Sequence, residues 1–180
     1  MKKIALAVLL ASGLMAADSG VYIGADIGNT AFDMKASALG VSAEEKDDGG
    51  SQTLKVGYYL DKNSRACISY QNINVDGGDA YHFGIGYDYL IGDNDIKPFV
   101  GGYVGYGSAE VDVYSELDIS GVVFGAQAGV NYAINDNFSV EAGYRYIKSN
   151  MEDTINIIGV DVKLEVDPIK NWFVGVNYKF

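Results

Sequence analysis

Residues 172–180 alternate without a break. Trp172, Val174, Val176, Tyr178 and Phe180 fall on one side of an extended chain, and Phe173, Gly175, Asn177 and Lys179 on the other. Successive side chains of a strand point to opposite faces, so this segment predicts a strand with one apolar face and one small or polar face. The same pattern recurs upstream. Phe138, Val140, Ala142, Tyr144 and Tyr146 oppose Ser139, Glu141, Gly143 and Arg145; Val122, Phe124, Ala126, Ala128, Val130 and Tyr132 oppose Gly125, Gln127, Gly129 and Asn131. Residues 99–108 carry Val100, Val104 and Tyr106 on one face, and residues 80–91 place five aromatic or aliphatic side chains against His82, Gly84, Gly86 and Asp88. Residues 65–73, 53–60 and 21–30 complete a set of eight predicted strands.

The distribution of charge between the two faces decides what surrounds them. The apolar faces hold no charged residue, whereas the opposite faces hold Asp26, Lys55, Arg65, His82, Asp88, Glu141, Arg145 and Lys179. A water-soluble barrel has the inverse arrangement, with an apolar lining and a charged exterior. In a membrane barrel the outside must be uncharged, since Lys or Arg facing lipid at mid-bilayer costs about 2–4 kcal/mol. The expected fold is all-β: an eight-stranded antiparallel up-and-down transmembrane β-barrel over residues 18–180, with Trp172, Tyr178, Phe180, Tyr146, Tyr132 and Phe138 toward the interfacial girdles.

Connections between the strands alternate in length. Residues 61–64, 92–96 and 135–137 form short turns rich in Asp and Asn, which tolerate turn geometry. Residues 35–51, 74–79, 111–118 and 149–170 are the longer ones and, with Glu110, hold 15 acidic and 4 basic residues. Within the last, Val160, Val162, Leu164 and Val166 alternate in phase with the final strand. This predicts a hairpin arm above the membrane, with Pro168 at a break or bulge.

The 180 residues carry 13 Lys+Arg against 24 Asp+Glu, a formal charge of −11, which argues against nucleic acid as a partner. Cys67 is the single cysteine, so no internal disulfide or cysteine cluster can form. Residues 1–17 read as a secretory signal peptide: Lys2 and Lys3 precede an apolar stretch over residues 4–10, and Ala16 and Ala17 close it. Export is expected, and loss of the two lysines leaves a mature charge of −13, from −11 − 2.

The charges on the inner face are the nearest thing to a site. A lumen of eight strands is just wide enough to be filled by side chains, so its charges are expected to pair with each other. The expected polar network comprises Asp26, Lys55, Arg65, Asp88, Glu141, Arg145 and Lys179, with Asp26 paired to Lys55 and Arg65 to Asp88. No catalytic, cofactor-binding or metal-binding residue is expected. The run Asp26-Ile27-Gly28-Asn29-Thr30 matches the phosphate-binding opening of some kinases, but it follows an export signal and is read as strand. The acidic segments Asp76-Gly77-Gly78-Asp79 and Glu44-Glu45-Lys46-Asp47-Asp48 lack calcium-loop spacing and are read as solvated loops, whose partner no motif names.

These segments resemble a known family. Lys97-Pro98-Phe99-Val100-Gly101-Gly102-Tyr103-Val104-Gly105-Tyr106-Gly107, residues 124–132 and residues 137–146 are similar to strands of small outer-membrane β-barrels, the group of the outer membrane protein A barrel domain, outer membrane protein X and the opacity adhesins. The resemblance implies a place in the outer membrane of a Gram-negative cell, among lipids and lipopolysaccharide, and no cofactor. It also implies that Trp172, Val174, Val176, Tyr178 and the terminal Phe180 form the signal read by the outer-membrane barrel assembly machinery. The expected function is non-enzymatic: envelope structure, with acidic surface loops for adhesion or interaction. A small porin-like channel and a lipid-modifying membrane enzyme are the alternatives. The latter needs a histidine at the lipid-facing rim, and the sole histidine, His82, falls on the inner face.

Overall fold

The computed structural model describes residues 19–38, 41–75, 78–111, 118–157 and 160–180. The expected leader and its cleavage site lie outside them. Nine strands form one antiparallel sheet: β1 (Gly20–Ala38), β2 (Val41–Asp61), β3 (Ser64–Val75), β4 (Gly78–Leu90), β5 (Ile96–Val111), β6 (Asp118–Ala133), β7 (Phe138–Ser149), β8 (Met151–Ile157) and β9 (Val160–Lys179). From β1 to β7 each strand pairs with the next, β7 pairs with β9, and β9 pairs back with β1, which closes the barrel. The β7–β9 ladder ends at Ile147 opposite Ile169, and the β8–β9 ladder begins at Met151 opposite Val166. The wall thus has eight strands, its seventh continued by β8 beyond a break at Asn150.

Each of the eight strands shows the parity that its period of two predicts. On β1 the side of Ile27 is open, at 69% exposure, while its neighbour Asp26 is 3% exposed. Leu54, Ile68, Ile85, Val104, Phe124, Tyr144 and Val174 also project outward, and Lys55, Ser69, Asp88, Tyr103, Gln127, Arg145 and Phe173 are enclosed. The five outward positions from Trp172 to Phe180 span about 27 Å along the strand, or about 21 Å along the barrel axis at a tilt of ~40°. Aromatic residues flank this apolar band. Tyr178 packs edge-on against Phe138 and Phe180 at the turn end, and Tyr70 stacks with Tyr81 toward the other.

The turns at one end are closed by their own polar residues. Asp61 accepts from the Ser64 hydroxyl at 2.7 Å and from the Asn63 backbone N–H at 2.6 Å, and these bonds hold its carboxyl below the ordinary carboxylate range. Asn135 accepts from the backbone N–H groups of Asn137 and Phe138 in the same way. Gly92, in the turn after β4, has φ +98°, a conformation that only glycine adopts without strain.

The opposite end corrects the expected long loops. Residues 35–51 are mostly strand: β1 and β2 remain paired up to Ala38 opposite Val41. Residues 149–170 likewise hold β8 and the first part of β9, paired from Met151–Val166 to Ile157–Val160, which is the expected arm. Residues 44–48 are charged at both odd and even positions, so alternation does not mark the strand within residues 35–51 although the ladder continues. The register between β1 and β9 shifts between Phe32 and Met34, so that Asp167 and Pro168 together face Asp33. This is a β-bulge at the expected proline, where the missing N–H removes a ladder bond.

Candidate functional site

Inside the barrel, the polar faces of β1, β2, β3, β4, β6 and β7 converge on one layer of charge. Lys55 on β2 lies between two carboxylates, 2.7 Å from Asp26 Oδ1 on β1 and in a short contact with Glu141 Oε1 on β7. Arg65 on β3 reaches both ways: its Nε donates to Asp88 Oδ2 on β4 at 2.9 Å, and its Nη2 meets Glu141 Oε2 across the lumen at 2.8 Å. Gln127 on β6 joins the second half, donating through Nε2 to Asp88 Oδ1 and accepting from Arg145 Nε at 2.9 Å. Asn177 on β9 donates to Glu141 Oε2 at 2.9 Å.

Aromatic rings stack on the same cations. The Arg65 guanidinium lies 5.1 Å from the ring centre of Phe99 and 5.7 Å from that of Tyr22, and Arg145 lies 5.0 Å from Phe173 and 5.7 Å from Tyr103. A planar guanidinium suits this arrangement, since its edge satisfies carboxylates while its face rests on a π surface. Three carboxylates and three cations make the layer electrically neutral. All six residues are at most 6% exposed.

Of the seven expected network residues, Asp26, Lys55, Arg65, Asp88, Glu141 and Arg145 meet in this layer, with both expected pairs formed. Lys179 sits elsewhere, at the turn-end mouth, with its ammonium 5.6 Å from the Tyr59 ring centre. There it lines a vestibule of about 260 Å³ with Tyr59, Asn131, Ser139 and Asn177. Sequence reasoning missed Gln127, Asn177 and the inward aromatic residues as connectors. It also missed the space that two glycines leave: a Cβ on Gly101 would lie 2.0 Å from Asp88 Oδ1, and one on Gly175 would lie 2.0 Å from Asp26 Oδ1. Those glycines stand beside the carboxylates on neighbouring strands, a relation that becomes readable only once the register is known.

Farther from the turns the enclosed side mixes polar residues with the aliphatic Ile73, Val123, Ile147 and Ile169, each at most 3% exposed. His82 is 1% exposed, with Nδ1 3.4 Å from Gln71 Oε1, and Asn171 Nδ2 donates to Thr30 and Ser51 hydroxyls at 2.8 Å each. The acidic segment at residues 76–79 lies partly outside the described residues, as do the side chains of residues 44–47.

Comparison with known proteins agrees with this geometry. A family model described as an outer membrane protein β-barrel domain matches residues 4–180. An uncharacterised protein of Haemophilus influenzae is 26% identical over 177 residues, covering 85% of this chain and 94% of its own length. The crystal structure of Neisserial surface protein A (NspA) superposes with a TM-score of 0.62 at 25% identity, over 90% of this chain and 99% of that one. The outer membrane protein OprG of Pseudomonas aeruginosa shares the fold with a TM-score of 0.62 at 16% identity, over 91% of this chain and 97% of that one.

Proposed function

Since the chain belongs to the outer membrane protein β-barrel domain family, we propose that it serves the outer membrane as a non-enzymatic, sealed barrel, which anchors a surface extension for adhesion or interaction. The observation that carries this reading is the neutral charge layer across the lumen. Six buried charges, bridged by Gln127 and backed by four aromatic rings, occupy the cross-section through which a solute would have to pass. Opening that path requires separating desolvated ion pairs, which is costly because each charge would be left uncompensated.

In barrels of this family the short turns face the periplasm, so the paired extensions of β1–β2 and β8–β9 stand on the cell surface. That side holds most of the excess acid: 15 acidic against 4 basic residues in the segments at that end. Export by the leader and recognition of Trp172, Val174, Val176, Tyr178 and Phe180 by the barrel assembly machinery belong to the same reading. Against an enzyme, the sole histidine is enclosed in the lumen beside Gln71, away from the lipid-facing rim where a lipid-modifying catalyst would work.

The test is electrical. Purified, refolded protein in a planar lipid bilayer is expected to give no unitary current steps at moderate voltage. Regular steps from the wild-type barrel would replace the sealed reading with the small pore.

A further inference from the structure

The turn-end mouth of the barrel opens into the vestibule of about 260 Å³ that Lys179 lines. Strand order gives it two unlike walls. Tyr59 on β2 and Leu90 on β4 make an apolar side, continuous with Phe99 and Phe173. Asn131 on β6, Ser139 on β7 and Asn177 on β9 make a polar side. The charge layer forms the floor, since Glu141 is the next inward residue after Ser139 and accepts from Asn177.

The polar wall carries two enclosed amide oxygens. Asn131 and Asn177 are both buried, and neither Oδ1 has a hydrogen-bond partner among the described residues. Asn177 cannot exchange its oxygen for its nitrogen, because Nδ2 is committed to the Glu141 carboxylate at 2.9 Å, and a carboxylate only accepts. Gly24 on β1 leaves the room that this oxygen occupies: a Cβ there would lie 2.2 Å from it. Buried carbonyl oxygens seldom stay without a donor. Charge does not select an ion at this place. Lys62 and Lys97 at the rim are offset by Asp95 and Asp136, and the Lys179 ammonium rests over the Tyr59 ring.

We infer that the vestibule binds one neutral sugar ring of a periplasmic glycan. A pyranose supplies several O–H donors from a compact frame, for Asn131 and Asn177, and its hydroxyl oxygens accept from Ser139 and Lys179. Its C–H face suits the apolar wall of Tyr59 and Leu90. Size agrees: pockets for drug-sized ligands run to about 300–1,000 Å³, and this one lies below that range, enough for a single ring. An extended peptide needs a groove open at both ends, whereas the charge layer closes this one from below. A positively charged amine is disfavoured beside Lys179. The periplasmic source rests on the proposed orientation of the barrel; the pocket itself does not.

Full-length barrel labelled with nitrogen-15 is folded in a phosphocholine detergent, which carries no sugar. It is titrated with methyl β-glucoside, methyl N-acetyl-β-glucosaminide, sorbitol and cationic glucosamine. Saturable shifts of the backbone amide signals at residues 59, 131 and 139 are expected with the two neutral glycosides. The tighter of them marks a plain glucan or an amino-sugar glycan as the source. Sorbitol, which has the hydroxyls without the ring, and glucosamine should bind more weakly. Asn131→Leu should raise the half-saturating concentration about fivefold, the effect of one lost hydrogen bond. Ser139→Phe, which fills the vestibule, should abolish saturation. The folded state of each variant is checked by heat-modifiable gel mobility. Shifts that grow linearly with every solute, an equal response to sorbitol, or an unchanged titration in Asn131→Leu would each overturn the site and leave a solvated mouth only. Failure of the orientation looks different: a membrane-impermeant maleimide would label Asn94→Cys, in a Cys67→Ser background, on intact cells. That result would overturn the periplasmic source while the titration stood.

Discussion

Replacing Arg65 by Ala is expected to destabilise the folded barrel by about 3–5 kcal/mol, the range for breaking a buried ion pair by removing one partner. Arg65 is 2% exposed and serves two carboxylates, Asp88 and Glu141. Its loss leaves Lys55 and Arg145 to balance three acids in a layer that admits little water. Loss of stacking on Tyr22 and Phe99 acts in the same direction. Urea unfolding in lipid vesicles, followed through Trp172, measures the difference. A loss below about 1 kcal/mol is the value for a solvated surface pair, and would mean that water fills the lumen. Arg65→Lys should recover only part of the stability, because an ammonium cannot bridge two carboxylates and lie flat on two rings at once.

The second large effect lies on the opposite face. Ile85 sits halfway along the outward side of β4, between Tyr81 and Tyr89, and is 57% open to the surroundings. With hydrocarbon around it, Ile85→Arg is expected to cost about 2–4 kcal/mol, the depth-dependent cost of a cation at the bilayer midplane. With water around it, the same change would be a surface substitution worth within about 0.5 kcal/mol either way. Unfolding of wild type and variant in one vesicle preparation separates the two. A neutral result would remove the membrane from the account.

Much of this architecture was legible because a single physical constraint writes it into the sequence. Inside the apolar band one face of each strand meets lipid and the other a narrow polar lumen, so charge and period-two alternation separate cleanly, and Asp26, Lys55, Arg65, Asp88, Glu141 and Arg145 can be assigned inward from parity alone. Pro168 marked a bulge because its missing N–H is incompatible with a regular ladder. Three features stayed hidden. Residues 35–38 and 41–51 continue as strand, but the run of charge at residues 44–48 falls on both odd and even positions and leaves no apolar face to read. Gln127 and Asn177 look like any polar strand residues until the register sets them beside Asp88, Arg145 and Glu141. Lys179 shares the inward parity of the network but lies too near the turn end to join the charge layer, and height within the lumen is not encoded by parity.

The central claim, that lipid covers the even-numbered side of β9, is tested most directly by a nitroxide scan over residues 172–177. Each position except Gly175, where a side chain would meet Asp26, is changed in turn to cysteine in a Cys67→Ser background, labelled, and reconstituted in vesicles, and its collision rates with oxygen and with a water-soluble nickel reagent are compared. The account predicts high oxygen contact at positions 172, 174 and 176, and shielding from both quenchers at 173 and 177. The contradicting result is the reverse parity, with 173 and 177 reached by oxygen while 172, 174 and 176 are shielded in a common interior.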